Sequence, residues 1–485
     1  MDEKGISRPV TGDKTALESG SLEIDKVAER NLVRKLDIHI IPVVMLLYLL
    51  SFLDRVNIGN ARLYGLQEDL NMNSQQYQMT VSILFVTYIL SELPSNLVLK
   101  KYVSPSRWIA FITTSWGIIA TLTGVCQSYG GLIACRLLLG AVEGGLFPGC
   151  AIYLTLYYTK HDLALRIGYL FVSAALAGAC GGLLAYGIGY MDGIAGLRGW
   201  RWIMILEGLP TFVLGVASWW LLADSPETAY YLNAEEKALV VRRREAQLGV
   251  SDEFDWKDVR KGLRDWKVYV FSAGQFCQDT MLYGYSTFLP TIIKAIRPQS
   301  SAAIVQVLTI PCYALGAITY MAAARYSDWK QIRGPIVLLF GAISVLGYAL
   351  LISEASSGVH YAGCFFVAMG LYVVVGIPLA WLPSNNPRYG KRTTATGLQL
   401  TIGNTSGIMA SFLYPSSEGP RYVRGHAVTM SLVAFGSLLY TAMYFYFARE
   451  NKQRAAGKRD ELMAGLSEDE VLALGDENPR FVFSK

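Results

Sequence analysis

Charge is scarce in this sequence. Asp, Glu, Lys and Arg make up 17% of 485 residues, against about 25% in ordinary soluble domains, and the mean hydropathy is +0.32. That deficit excludes a water-soluble enzyme and a disordered chain. Histidine is scarce as well: His39, His161, His360 and His426 are scattered and form no HExxH or HxxxH, so no metal and no cofactor is expected. The cysteines (Cys126, Cys135, Cys150, Cys180, Cys277, Cys312 and Cys364) are odd in number, lie in or beside apolar runs and form no CxxC. They read as small core residues, and only Cys126 and Cys135 are placed to meet, near a turn. No phosphate loop is present: Gly390-Lys391-Arg392 lacks the upstream glycine and has Arg where a magnesium-binding Ser or Thr belongs, which disfavours ATP-driven work. GxSxG is absent too, so a nucleophile elbow has no support and no enzymatic activity is expected. Residues Met1 to Asp37 lack the apolar core and small-residue cleavage site of a secretory signal, and the first span must itself direct insertion. The net charge of +5 is small, and its basic residues are not interleaved with aromatics, so nucleic acid is not an expected partner.

Long apolar runs are what the sequence has in plenty. They fall at about 38–58, 77–99, 108–126, 131–156, 167–190, 202–222, 268–293, 301–324, 335–353, 359–382, 394–414 and 427–447. A helix needs about 20 residues to cross ~30 Å of hydrocarbon, so an all-α membrane protein with 12 transmembrane helices is expected. The runs divide the chain into a tail (1–37), a six-helix bundle (38–222), a charged linker (223–266), a second six-helix bundle (267–447) and a second tail (448–485). In the linker, Asn233 followed by Glu236 is a cap with an acid three residues on, predicting a short surface helix through Arg244. Placing both termini in the cytoplasm gathers most Lys and Arg there, in the tails, the linker and four short turns, as the positive-inside rule favours. Two bundles joined by a long cytoplasmic loop is the layout of an alternating-access transporter in the lipid bilayer, expected here as a monomer.

Charged residues inside spans are costly, at least ~2.5 kcal/mol each, and must face a cavity or a partner. The basic ones are Arg55 and Arg136; the acids are Asp54, Glu92, Glu143, Glu207 and Asp279. Arg136, Gly140 and Glu143 lie on one helical stripe, with Arg136 and Glu143 about 10 Å apart along the axis. Gly140 leaves an opening between them for an anionic substrate or a side chain of the first span. Asn57 lies one turn from Asp54. A buried ion-pair network that locks the bundle is one account of these charges. The preferred one is functional: an Arg fork clamps a substrate carboxylate while a buried acid takes up and releases a proton. Glu92 and Glu207, nearer span ends, are expected to brace helices, and Asp279 is left open. The pairs Gly140/Gly144, Gly145/Gly149, Gly178/Gly182 and Gly403/Gly407 predict close helix packing.

The strings FLDRVNIGNA (52–61), ELPSN (92–96), RLLLGAVEGGLFPG (136–149), GGLLAYGI (181–188), GWRWIMILEG (199–208) and DSPETA (224–229) resemble the fungal anion:cation symporter family. This family, within the major facilitator superfamily, includes allantoate, nicotinate and pantothenate permeases. FLPTII (288–293), LTIPCY (308–313), Trp381 with Asn385 and Asn386, and GNTSG (403–407) are similar too. The resemblance implies proton-coupled uptake of a small organic anion, with Glu143 and Asp54 handling protons and Arg55, Arg136 and Asn57 binding substrate. It adds Tyr283 and Tyr285 of the seventh span and Asn385 of the tenth as substrate-facing residues, since spans one, four, seven and ten line the cavity in related carboxylate symporters. The superfamily's loop signature survives as ARYSDWKQIR (324–333), with Ala324 in place of glycine, and implies gating roles for Asp328 and Arg333. Its counterpart after the second span has Asn96, Lys100 and Lys101 but no acid. Efflux of an acidic metabolite is the alternative; a membrane sensor would need a signalling domain for which the tails are short.

Overall fold

The computed structural model describes residues 26–101, 103–245 and 256–485; most of the first tail lies outside them. Twelve long helices account for most of the described chain: α1 (Lys26–Leu63), α2 (Ser74–Lys101), α3 (Pro105–Thr123), α4 (Tyr129–Tyr157), α5 (Lys160–Gly189), α6 (Gly199–Leu221), α7 (Trp266–Ile296), α8 (Ala302–Lys330), α9 (Gly334–Ile352), α10 (Ser357–Ser384), α11 (Tyr389–Ala410) and α12 (Val423–Ala455). Local chemistry sets several starts. Ser128, Ser301 and Asp265 accept backbone N–H groups at the entries to α4, α8 and α7, and Pro105 opens α3, where a missing N–H costs nothing. Among the described residues, eight of these helices are long and apolar enough to cross a membrane: α1, α4, α5 from Arg166, α6, α8, α9, α10 and α12. α7 falls short for a physical reason. It buries Ser272, Gln275, Gln278, Asp279, Thr280, Thr287 and Thr291 inside the protein, so its polarity is hidden from lipid.

The first six helices and the last six form separate sets of contacts. In the first, α3 lies along α6, α2 along α4, and α1 against α5 and α6. In the second, α9 packs on α10 and α12, and α7 on α11 and α12. The halves meet along α5–α8, α2–α11 and α1–α7. Small residues permit these approaches. Gly178 and Gly182 lie under Tyr313 and Thr309 of α8, and a Cβ on Gly59 would collide with the backbone of Thr287 in α7. At the end remote from the linker the halves are also joined by Gln306 Nε2 donating to Asn60 Oδ1 (3.1 Å) and Arg62 Nη2 to Ser416 Oγ (2.5 Å). Cys126 and Cys135 do meet, at 3.6 Å between sulfurs, as free thiols.

At the linker end the chain is more ordered than its polarity suggests. α1 is already helical at Lys26, ahead of the apolar run that begins near residue 38, and the predicted capping pair forms: Glu236 N donates to Asn233 Oδ1 and Asn233 N to Glu236 Oε2, both at 2.8 Å. The helix Ala234–Glu245 that follows is tied to the bundle by Lys35–Glu236 (2.7 Å), Arg243–Glu29 (2.8 Å) and Arg243–Asp162 (2.8 Å). A second linker helix spans Trp256–Arg264. Beyond α12 the chain folds back beneath the second bundle. Phe483, 2% exposed, stacks on Phe447 with ring centres 4.7 Å apart, and Asp476 bonds Lys267 and Lys391 at 2.8 Å.

Candidate functional site at the interface of the two halves

Four helices, α1, α2, α4 and α7, enclose a narrow cavity lined by Phe52, Arg55, Val56 and Ile58 of α1, Val81, Leu84 and Phe85 of α2, Arg136 of α4, and Leu282, Tyr283, Ser286 and Thr287 of α7. Its free space is about 20 Å³, room for roughly one water, whereas small-molecule sites are commonly ~300–1,000 Å³. The halves are therefore closed upon it.

Arg55 is the hub. Its Nε donates to Glu143 Oε1 at 2.8 Å, and its guanidinium lies over the rings of Tyr88 (4.7 Å) and Phe52 (5.1 Å). Glu143 is fully buried; the same Oε1 accepts Ser51 Oγ at 2.5 Å, while Oε2 has no partner among the described residues. From α1, Arg55 thus reaches the Glu143 end of the stripe on α4. Gly140 is not the opening: the α2 backbone at Leu84 and Thr87 Oγ1 fill that space, and Ser91 Oγ donates to Gly140 O at 3.3 Å.

Arg136 is 3% exposed and faces the cavity, and its Nε and Nη2 have no acceptor among the described residues. Asp54, 8% exposed, accepts the indole N–H of Trp116 at 3.3 Å. Tyr283 closes the α7 side, its hydroxyl donating to Asn404 Oδ1 at 2.6 Å and its ring meeting Phe85 at 4.6 Å between centres.

Three of the residues expected to face substrate do not line this cavity. Asn57 Nδ2 donates to Glu207 Oε2 at 2.5 Å, bracing α1 against α6. Tyr285 points into the second bundle, where its hydroxyl donates to Cys364 O at 2.8 Å; side chains two apart on a helix leave in opposed directions, so Tyr283 and Tyr285 cannot share a face. Asn385 sits at the end of α10 and holds the chain end, its Nδ2 donating to Ser484 O (3.1 Å) and its Oδ1 accepting Ser484 N (2.7 Å). α10 thus contributes nothing to the cavity, and α2, not among the expected spans, takes a wall. Asp328 lies in the last turn of α8 and Arg333 at the entry to α9, where Arg333 N donates to Lys485 O at 2.6 Å. Glu92 turns toward Thr401 and Asn404 of α11, and Asp279 accepts Gln275 Nε2 at 2.8 Å on its own helix. Sequence reasoning missed Phe52, Phe85, Tyr88 and Trp116, because an aromatic in an apolar run looks like core; the signal available was Phe52 one turn before Arg55.

Residues 44–411 match the Major Facilitator Superfamily model, and the chain belongs to that superfamily as a multi-pass membrane transporter. Its relatives are fungal transporters. One from Schizosaccharomyces pombe, of uncharacterised substrate, is 40% identical over 96% of this chain and 93% of its own. The high-affinity nicotinic acid transporter of Saccharomyces cerevisiae is 32% identical over 94% of this chain and 85% of its own. Among solved structures, an inward-facing, unoccupied bacterial homologue of the human lysosomal transporter Spinster superposes with a TM-score of 0.64 at 15% identity, covering 86% of this chain and 97% of its own. The xylose transporter XylE of E. coli gives 0.63 at 12% identity, covering 83% and 97%.

Proposed function

We propose that this transporter imports a small organic anion together with protons, through twelve spans with both termini in the cytoplasm, as a monomer of the plasma membrane. The observation that supports this most is that Arg55 and Arg136 line one closed cavity while, among the described residues, only Arg55 has a carboxylate within 4.0 Å. Buried guanidinium N–H groups without an acceptor, as at Nε and Nη2 of Arg136, are costly, and a substrate carboxylate supplies the missing charge through a two-pronged contact. Glu143 competes with that substrate for Arg55. A proton taken up by Glu143 weakens its hold on Arg55, the substrate carboxylate takes its place, and proton and anion therefore favour each other's binding. Asp54, held by Trp116, is the second acid of the path. Phe52, Phe85 and Tyr283 suit a flat apolar body on the substrate, in keeping with a relative that carries nicotinic acid. The closed cavity must widen for loading, so the halves rock about it, with Asp328 at the end of α8 and Arg333 at the entry to α9 as a gate.

The test uses purified protein in vesicles with an imposed pH gradient and a labelled aromatic monocarboxylate, competed by a panel of carboxylates and by the matching uncharged amides. Accumulation that follows the pH gradient and is blocked by carboxylates alone is expected. Equal competition by the amides overturns the anion site.

A further inference from the structure

The linker helix Trp256–Arg264 carries Lys257, Arg260, Lys261 and Arg264 in nine residues. Lys257/Lys261 and Arg260/Arg264 are like charges four apart, an arrangement that repels on a helix surface. The opposite side of the helix is fastened to the second bundle. Asp258, 3% exposed, takes Arg388 Nε at 2.8 Å, and Gly262 lies so near α11 that an added Cβ would be 3.1 Å from Thr394 Cβ. The basic side is thereby held facing outward, where with Lys267 and Lys391 it lines an open groove of about 570 Å³. The acids in and behind that groove are engaged: Asp265 with Lys391 (2.6 Å) and Lys267 (3.2 Å), the buried Asp476 with both lysines, and Glu477 with Lys261 (3.6 Å). Among the described residues, no carboxylate lies within 4.0 Å of Arg260 or Arg264. Trp256, Leu263, Trp266 and Tyr269 are 76%, 46%, 51% and 46% exposed beside it, at the level where α7 begins. Tryptophan and tyrosine next to clustered Lys and Arg is the composition of a segment that lies in the headgroup layer.

We propose that this groove binds the headgroup of an anionic phospholipid, with Arg260 and Arg264 on its phosphate and Trp256, Leu263 and Trp266 among the upper acyl chains. Basic side chains near an anionic leaflet supply this attraction, and the fastening through Asp258 and Gly262 gives the lipid a fixed seat. Asp265 and Asp476 hold Lys267 and Lys391 in place, so the two arginines carry the difference between a charged and a neutral lipid.

The full chain is reconstituted in nanodiscs of phosphatidylcholine alone or mixed with phosphatidylserine, and lipid retained after detergent exchange is read by native mass spectrometry beside the melting temperature. The native protein retains phosphatidylserine over phosphatidylcholine, and Arg260→Gln/Arg264→Gln, exposed substitutions that leave the fold intact, retains it about 30-fold more weakly, as loss of two basic contacts requires. Equal retention by native and variant proteins overturns the proposal and leaves the charges as topology signals. So does native protein without preference for phosphatidylserine, the result if the acidic run Asp252, Glu253 and Asp255 neutralises the helix. Stabilisation by inorganic phosphate or glycerophosphoserine equal to that by the lipid overturns it in favour of a soluble phosphate site.

Discussion

Replacing Glu143 by glutamine separates the two things its carboxylate does. The native group accepts Ser51 Oγ at 2.5 Å and Arg55 Nε at 2.8 Å, with side-chain exposures of 11% for Arg55 and 0% for Glu143. Stranding one partner of a buried ion pair costs about 3–5 kcal/mol. Two features reduce that here. The amide oxygen of Gln keeps the Ser51 bond, and the guanidinium retains its contacts with Tyr88 and Phe52, worth roughly 1 kcal/mol each. A net loss of about 2 kcal/mol is expected, small enough for the variant to reach its membrane. An anionic substrate then meets an Arg55 with no competing carboxylate. It should stabilise Glu143→Gln more than the native protein, and about 2 kcal/mol recovered corresponds to roughly 30-fold tighter binding. The assay is thermal unfolding in detergent against rising substrate, run beside exchange and pH-driven uptake in one vesicle preparation. Exchange persists and pH-driven accumulation is lost. Intact accumulation refutes the proton role and moves it to Asp54, whereas loss of exchange, with no added stabilisation by substrate, refutes the competition for Arg55.

Arg136→Ala should abolish uptake at normal membrane abundance, and Arg136→Lys should restore only part of it, because an ammonium lacks the planar fork; near-normal uptake by the Ala variant makes Arg136 structural. Gly59→Ala drives a methyl into the Thr287 backbone, so transport should fail while labelling of a cysteine placed at Ser286 rises; unchanged labelling refutes the close fit. Phe483→Ala empties a stacked, buried position and should destabilise the docked tail by about 3–5 kcal/mol, read as faster hydrogen exchange over 476–485. Burial alone would push the Asp476 carboxyl up, but Lys267 and Lys391 outweigh it and hold it below its ordinary value. With the folded value depressed, its contribution is fully present above the ordinary pKa of about 3.9 and is lost only as pH falls through the folded one. Protease protection of the tail should therefore be flat from about pH 8 to pH 5 and disappear in stronger acid; release between pH 7 and 5 refutes this.

Apolar runs located the long helices well because hydropathy reports burial in lipid: the run at 77–99 became Ser74–Lys101, and that at 335–353 became Gly334–Ile352. Where helix continues beyond the apolar stretch the signal vanishes, as over the polar turns of α1 between Lys26 and residue 38. The charges were legible by their cost: Arg55 pairs with Glu143 and shares a cavity wall with Arg136. Partner choice was not, since hydropathy fixes neither the rotation of a helix nor its neighbour. That rotation sends Asn57 to Glu207, and Tyr285 to a carbonyl of α10. The pairing of Asn385 with Ser484, 99 residues away, leaves no local trace at all.

The number of acids beside the cavity bears on the electrical character of transport. Both embedded arginines are on the first bundle, and Glu143 is the carboxylate that pairs with Arg55. One proton on Glu143 moving with one monocarboxylate transfers no net charge, and the membrane voltage then adds nothing to accumulation. Should Asp54, under its single bond to Trp116, load a second proton, each cycle carries one positive charge inward. At ~2.3 kcal/mol per charge per 100 mV, that difference multiplies the attainable concentration ratio by about 50 for every 100 mV. Under the proposed coupling of anion to protons, the second carboxyl decides whether the carrier runs on acidity alone or also on voltage.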